Sequence, residues 1–414
     1  MRLKMINTAI ALVRGVFKRI AILDLSLRYM KLHFGKLHFF LFYYRPKKVD
    51  YNYYLFESFQ GRQISDSPLA IYSEIQESRK IICFWVVDAT NFKNRTVLEF
   101  ADSHKNVVLV KYKSKEYYKA FAKAKYWFVN CRIPHSIIKN SNQVLLQCWH
   151  GTPIKRLGRD IEIDSHAQSS LSVIKHSYTI MGEQCDYFLS PSVYASSCFE
   201  TAFGLNKSKI LEFGYPRNVS LLNGSFSRDE IVERLGLDPS KKTILYAPTF
   251  RDDNFDKGMH YSHNILDVSR FVQEFSNDYN LLFRGHYYVR KTGNSTSAFI
   301  DVSSYMNVND LFVVTDVLIT DYSSLFIDFM VLDKPIILYP YDLDEYSKRV
   351  RGFYLDYEDV FTELICYDLD DVIRKLSVTE ELKYFDYKKL KDKFCPYEDG
   401  MAAKRVVSHI ISSK

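Results

Sequence analysis

Three short stretches combine residue types that could move a proton and hold phosphate. The first is Cys148-Trp149-His150-Gly151-Thr152-Pro153-Ile154-Lys155-Arg156, at the end of an apolar, β-prone run. A histidine with an ordinary pKa near ~6.5 takes or gives a proton at neutrality, and a glycine beside it lets a substrate approach the backbone. A lone histidine is more often structural than catalytic, but Gly-Thr-Pro after it is loop chemistry, so His150 is a candidate general base. The second is Thr320-Asp321-Tyr322-Ser323-Ser324, after the apolar run Val317-Leu318-Ile319 and before an apolar helical stretch opening at Leu325. A hydroxyl-rich turn opening a helix presents free N–H groups and a positive dipole end to phosphate oxygens. The same Ser323-Ser324 pair is also an ordinary helix cap, the commoner role of such a pair. Asp328, one turn further, is expected to face the ligand and to accept an alcohol of it. The third is Leu281-Leu282-Phe283-Arg284-Gly285-His286. Arg284 and His286 at i and i+2 on a strand end share one side, where together they could neutralise a leaving diphosphate. Arg217 and Arg251 sit in similar post-strand turns and are weak evidence singly.

Motifs that would signal other chemistry are missing. The chain has no Walker loop, Gly-x-Gly-x-x-Gly, His-Glu-x-x-His or Gly-x-Ser-x-Gly. The paired carboxylates Asp252-Asp253 and Asp370-Asp371 point apart on an extended chain, so no metal site is expected. The seven cysteines are scattered without a Cys-x-x-Cys, which argues for reduced thiols.

The elements that must position these residues read as parallel α/β layers. Short β-branched or aromatic runs at 53–57, 80–87, 106–110, 126–130 and 143–149 alternate with helical stretches such as 68–78 and 115–123. A second series follows at 187–190, 209–213, 243–247, 280–284, 317–320 and 335–339. The boundary is placed near 214–218, where Gly-Tyr-Pro-Arg-Asn interrupts the pattern. The expected units are therefore a segment 1–48, a first lobe 49–214, a second lobe 215–398, and a final stretch 399–414 whose helix, 400–412, packs back on the first lobe. Open α/β sheets bind ligands at the carboxyl ends of their strands, and two facing sheets would join those ends across one cleft.

At 414 residues, with 47% hydrophobic and 25% charged side chains, the chain is long enough for two cores and too apolar for disorder. Its formal charge of +7 is unevenly placed. Residues 1–50 hold eleven Lys and Arg against two Asp, a surplus of +9, so residues 51–414 carry −2. A basic head on a near-neutral body suits an anionic surface better than a nucleic acid. No part of this head is apolar for the ~18 residues a membrane span needs. Ile6, Ile10, Val13, Phe17, Ile20, Leu23, Leu27, Met30 and Phe34 form one stripe at helical spacing, followed by Phe39, Phe40, Phe42, Tyr43 and Tyr44. That pattern fits an amphipathic helix lying on a membrane surface, and equally a helix packed on the protein's own core. The concentrated basicity favours the membrane.

Taken in order, these residues resemble the CDP-glycerol glycerophosphotransferase family of bacterial wall teichoic acid and capsule synthesis. The likeness runs over about residues 50–412. It rests on Phe56-Glu57-Ser58 with Gly61, Asp66, Pro68 and Tyr72, and on 149–155 with Leu157, Gly158 and Asp160. It continues through Gly214-Tyr215-Pro216-Arg217, Tyr246-Ala247-Pro248-Thr249 with Arg251-Asp252-Asp253, and Arg284 with His286. Residues 319–324 with Asp328, Lys334-Pro335, Arg351-Gly352-Phe353-Tyr354 and Asp399-Gly400 complete it.

The resemblance implies a GT-B-like fold, two Rossmann-type domains facing across a cleft, on a peripheral protein of the cytoplasmic membrane face. It implies transfer of a polyol phosphate, glycerol phosphate first, from a CDP-polyol to a hydroxyl of a lipid-linked acceptor or growing chain, with release of CMP and no cofactor. On the family's pattern His150 is the base, with His286 beside it in the catalytic set. Arg284, His286, Ser323 and Ser324 contact the donor diphosphate, and Gly285 between them belongs to the substrate site. Arg217, Pro248, Thr249 and Asp328 complete the donor pocket, and Trp149, Gly151, Thr152 and Pro153 belong to the substrate site. The competing expectations are a glycosyltransferase using a sugar nucleotide in the same cleft, and a non-catalytic module bound to the membrane surface.

Overall fold

The computed structural model describes residues 21–45, 48–77, 80–162, 170–249, 268–285, 299–349, 352–378 and 385–411. Arg251, Asp252, Asp253, His286 and Arg351, and the stripe from Ile6 to Ile20, lie outside them.

Two all-parallel sheets organise the chain. The first has seven strands in the order β3-β2-β1-β4-β5-β6-β7: β1 Asp50–Glu57, β2 Ile82–Val87, β3 Val107–Lys111, β4 Ala124–Val129, β5 Val144–Gln147, β6 Tyr187–Ser190 and β7 Ile210–Glu212. The second has five in the order β10-β9-β8-β11-β12: β8 Lys242–Ala247, β9 Tyr279–Phe283, β10 Phe299–Asp301, β11 Val317–Thr320 and β12 Ile336–Leu338. Parallel strands covered on both faces need apolar residues at every position, not every second one. Accordingly β4, Ala-Lys-Tyr-Trp-Phe-Val, is buried throughout, and so are β11 and β12. Lys125 is tolerated within β4 because its ammonium reaches the Asn142 carbonyl.

Three departures from the sequence reading have local causes. Strand β10 was not expected, because it is three residues long and only half-buried. β5 stops at Gln147, two residues short of the expected end, since Trp149 takes φ +52° and cannot continue an extended chain. The α-helix after β1 spans Asp66–Ile75, starting earlier than expected. The final helix, Ala402–Ile410, does return to the first sheet, where Val406 and Ile410 pack beside Ile71, Tyr72 and Trp85.

The helix Ala21–Phe39 and its continuation Phe40–Tyr44 are pinned by one face. Phe39 and Tyr43 are buried, with ring centroids 6.2 Å and 5.4 Å from Tyr118. Tyr29, Met30, Phe34, Leu37, Phe40, Leu41 and Phe42 point outward, Phe34 being 71% and Phe42 64% exposed. Within the described residues, then, the stripe's Met30 and Phe34 are not packed on the protein's own core. No described helix is long and apolar enough to cross a membrane.

Candidate functional site

The site is assembled from the carboxyl ends of both sheets. In the first lobe, the chain leaves β5 and turns at Trp149, whose left-handed backbone costs on the order of 1–3 kcal/mol. That cost is offset by the indole, which is buried with ring centroids 4.9 Å from Phe203 and 6.2 Å from Phe188. The Trp149 N–H also donates to Gln147 Oε1 at 3.0 Å. Trp149 therefore lies in the first lobe's core, and its turn sets the direction of the next residue.

His150 is solvent-exposed, yet its Nδ1 lies 2.7 Å from the Asn130 carbonyl oxygen. A carbonyl only accepts, so Nδ1 carries the proton and Nε2 keeps its lone pair, as a general base requires. Protein crowds the ring closely enough to desolvate its charged form and hold the pKa below the ordinary 6.5. The Asn130 bond and the Asp66 carboxylate pull the other way, while Arg217 and Arg62 add to the lowering.

The His150 loop then crosses to the second lobe. A Cβ added at Gly151 would lie 2.3 Å from Ser324 Oγ, so the absence of a side chain at 151 is what lets the two lobes meet there. Thr152 and Pro153 are buried, and the Pro153 carbonyl accepts from Tyr194 Oη at 2.8 Å. Beyond them the backbone pairs with residues 352–354. The Tyr354 N–H donates to the Ile154 carbonyl at 2.9 Å, and the Arg156 N–H to the Gly352 carbonyl at 3.1 Å. Tyr354 Oη adds a bond to Asp160 at 2.6 Å.

In the second lobe, Asp321 at the end of β11 joins two strand ends. Its Oδ1 accepts from the Thr249 N–H at 2.8 Å and from the Tyr322 N–H at 2.6 Å. This fixes the Pro248-Thr249 segment beside Ser323 and Ser324. Both serines are half-buried; Ser324 is the N-cap residue of the helix Leu325–Met330, and Ser323 Oγ accepts from the Leu325 N–H at 3.4 Å. Arg284 directs Nη1 to the carbonyls of Val302 and Tyr305 at 3.0 and 2.9 Å, and the Gly285 N–H donates to Ser303 Oγ. Burial alone lowers the Arg284 pKa; no carboxylate among the described residues offsets it. A cation desolvated without a counter-ion favours an anionic ligand.

Arg217 and Asp328 are brought together, but with each other. Asp328 Oδ1 accepts from Arg217 Nε and Nη2 at 3.2 and 3.0 Å and from Asn218 Nδ2 at 3.0 Å. Arg217 Nη1 lies 3.8 Å from Asp66 Oδ1, and the guanidinium stacks 3.7 Å over the Tyr215 ring. Burial alone would lower the Arg217 pKa, but Asp328 and Asp66 outweigh it and hold the guanidinium charged. The expected place of Asp328 against an alcohol of the donor thus competes with a buried ion pair linking the helix Asp66–Ile75, the turn Pro216–Asn218 and the helix Leu325–Met330.

Three residues that shape this site were not singled out as such. Asn130 acts through its backbone carbonyl, which leaves no trace in residue type. Asp321 stood inside a quoted motif, and its position after an apolar strand was the available signal. Asp66 was quoted without a role, and its charge reaches both His150 and Arg217.

The chain is 36% identical over 380 residues to a teichoic acid poly(glycerol phosphate) polymerase of Staphylococcus epidermidis, covering 87% of this chain and 50% of that protein. It is 35% identical over 367 residues to a teichoic acid glycerol-phosphate transferase of Staphylococcus aureus, covering 87% of this chain and 92% of that one. The chain therefore spans half the length of the first relative and most of the second. The solved structure of the wall teichoic acid polymerase TagF superposes with a TM-score of 0.79 at 32% identity, over 96% of this chain and 98% of that one. Residues 37–412 match the profile of the CDP-Glycerol:Poly(glycerophosphate) glycerophosphotransferase family, and the chain belongs to that family.

Proposed function

We propose that the protein transfers glycerol phosphate from CDP-glycerol to a hydroxyl of a teichoic acid chain and releases CMP. The approach of Gly151 to Ser324 carries this reading, since it sets a base from one lobe against hydroxyls from the other, in a sheet whose β9 end carries Arg284, an arginine that no carboxylate among the described residues neutralises. Phosphoryl transfer asks for little beyond positioning and stabilisation of charge. His150 Nε2 takes the proton of the acceptor hydroxyl. The acceptor oxygen bonds to the phosphorus bearing glycerol, and the bond from that phosphorus to the bridging oxygen breaks. CMP leaves with the electron pair, its charge met by Arg284, Ser323 and Ser324. His286 belongs to this donor set by family pattern and lies outside the described residues.

Under this reading the two parallel lobes form a GT-B-like pair. The protein sits peripherally on the cytoplasmic membrane face, with the acceptor linked to lipid. The support is the outward apolar face of Tyr29, Met30, Phe34, Leu37, Leu41 and Phe42 beside the N-terminal surplus of basic residues. The test is to incubate purified protein and an acceptor oligomer with CDP-glycerol or CDP-ribitol and to follow CMP and new phosphodiester. CMP released faster from CDP-glycerol is expected. Absence of CMP release from CDP-glycerol would contradict the proposal.

A further inference from the structure

Between the helix Ala21–Phe39 and His150 lies a group of basic side chains that the transfer step leaves unused. Lys36 stands in the last turn of that helix. The neighbouring Gly35 packs so closely on the following loop that an added Cβ would lie 2.9 Å from Ser136 Cβ. From that loop Arg132 Nη1 donates to Ser177 Oγ at 2.6 Å, and Ser177 Oγ lies 3.4 Å from His135 Nε2. His176 precedes Ser177 on the helix Leu171–Gln184. Three elements thus bring Lys36, Arg132, His135 and His176 together.

The group is not neutralised from within. Burial, then Arg132, His176 and Lys36, push the His135 pKa down to about 4, and no carboxylate among the described residues acts against them. Arg132 and His176 are exposed, so the cluster is open to solvent and to a ligand. The Arg132 guanidinium and the Lys36 ammonium set a positive potential at this surface that favours an anion.

Its position points to the anion. Arg132 follows Asn130 by two residues, which places its Cα within about 7 Å of the residue whose carbonyl holds His150. Gln60 Nε2 donates to the Arg132 carbonyl at 3.3 Å, fixing that short path. At the far end, Lys36 adjoins the exposed Phe34 and Leu37. The cluster therefore occupies the way from the outward apolar face to the base.

We propose that Lys36, Arg132, His135 and His176 form a subsite for the phosphodiester groups of the acceptor chain, holding it as it runs toward His150. The inference rests on the acceptor assigned above. Phosphodiesters stay anionic at any working pH. Arg132 offers them a planar fork, Lys36 a point charge, and His135, neutral above pH about 4, a hydrogen bond.

The test uses the full chain carrying Lys36→Gln, Arg132→Gln and His176→Gln together. The probe is a soluble three-unit glycerol phosphate oligomer, titrated calorimetrically at low and moderate salt. Oligomer affinity should fall by at least about tenfold, with its salt dependence reduced, while affinity for CDP-glycerol and for phosphatidylglycerol vesicles changes by less than about threefold. Arg132→Lys alone, which keeps the charge, should retain most of the affinity and guards against misfolding. Unchanged oligomer binding in the triple variant, or a wild-type chain that does not bind the oligomer, would overturn the proposal. So would loss of vesicle binding with oligomer binding intact, which would assign these cations to lipid headgroups. Because binding is read without turnover, an oligomer-binding protein that never releases CMP would sink the proposed activity and spare the subsite.

Discussion

In the proposed reaction His150 can serve as the base only while Nε2 is unprotonated. Desolvation holds its pKa below 6.5, so the base form persists as the pH falls through that value and is lost only beneath the lowered pKa. The acid limb of kcat/KM against pH is therefore expected below pH 6.5, and a limb centred above it would contradict the desolvation of the ring. Gly151 gives a second residue-scale test. Gly151→Ala drives a methyl group into Ser324 Oγ and should lower turnover on the order of a hundredfold. Adding Ser324→Ala removes that oxygen and leaves the Ser324 Cβ at 3.4 Å, so the double variant should be more active than Gly151→Ala alone. Equal activity of the two in a steady-state assay would mean that the lobes do not meet there. His150, Gly151 and Ser324 were legible because each stands in a polar turn after an apolar run. Asn130 was not, because a carbonyl looks the same in every residue.

At the scale of elements, the buried ion pair is the feature with the largest energetic consequence. Arg217→Ala would leave Asp328 and Asp66 buried without their cation, and removing one partner of such a pair costs about 3–5 kcal/mol. Urea unfolding should show that loss, and the triple change that also makes Asp66→Asn and Asp328→Asn should recover part of it. A loss under about 1 kcal/mol for Arg217→Ala would mean that the ion pair contributes little. Sequence pattern located most strands because runs such as Trp127-Phe128-Val129 or Val317-Leu318-Ile319 must be buried on both faces. It failed where tertiary context decides. β10 is a strand because β9 offers it an edge, and β5 ends where packing of one indole sustains a left-handed backbone. The partnership of Arg217 with Asp328 spans 111 residues, a distance no local pattern reports.

Across the whole molecule, two parallel sheets turn the carboxyl ends of their strands toward one seam. The loop carrying His150 closes it by pairing with 352–354. Alternation of short strands and helices made the strands of both sheets legible, and the post-strand turns pointed to the edge where Gly151 meets Ser324. The outward turn of Phe34 and Leu37 could not be read from spacing, because an apolar stripe has the same period whether it meets a core or a membrane. The central claim is that one imidazole in this seam removes the acceptor proton while the opposite lobe holds the donor. Single-turnover release of CMP from CDP-glycerol by His150→Ala, with donor affinity measured in parallel, tests it most directly. Affinity within a few-fold of wild type and CMP release slower by about a hundredfold or more are expected. CMP release at the wild-type rate would contradict the account.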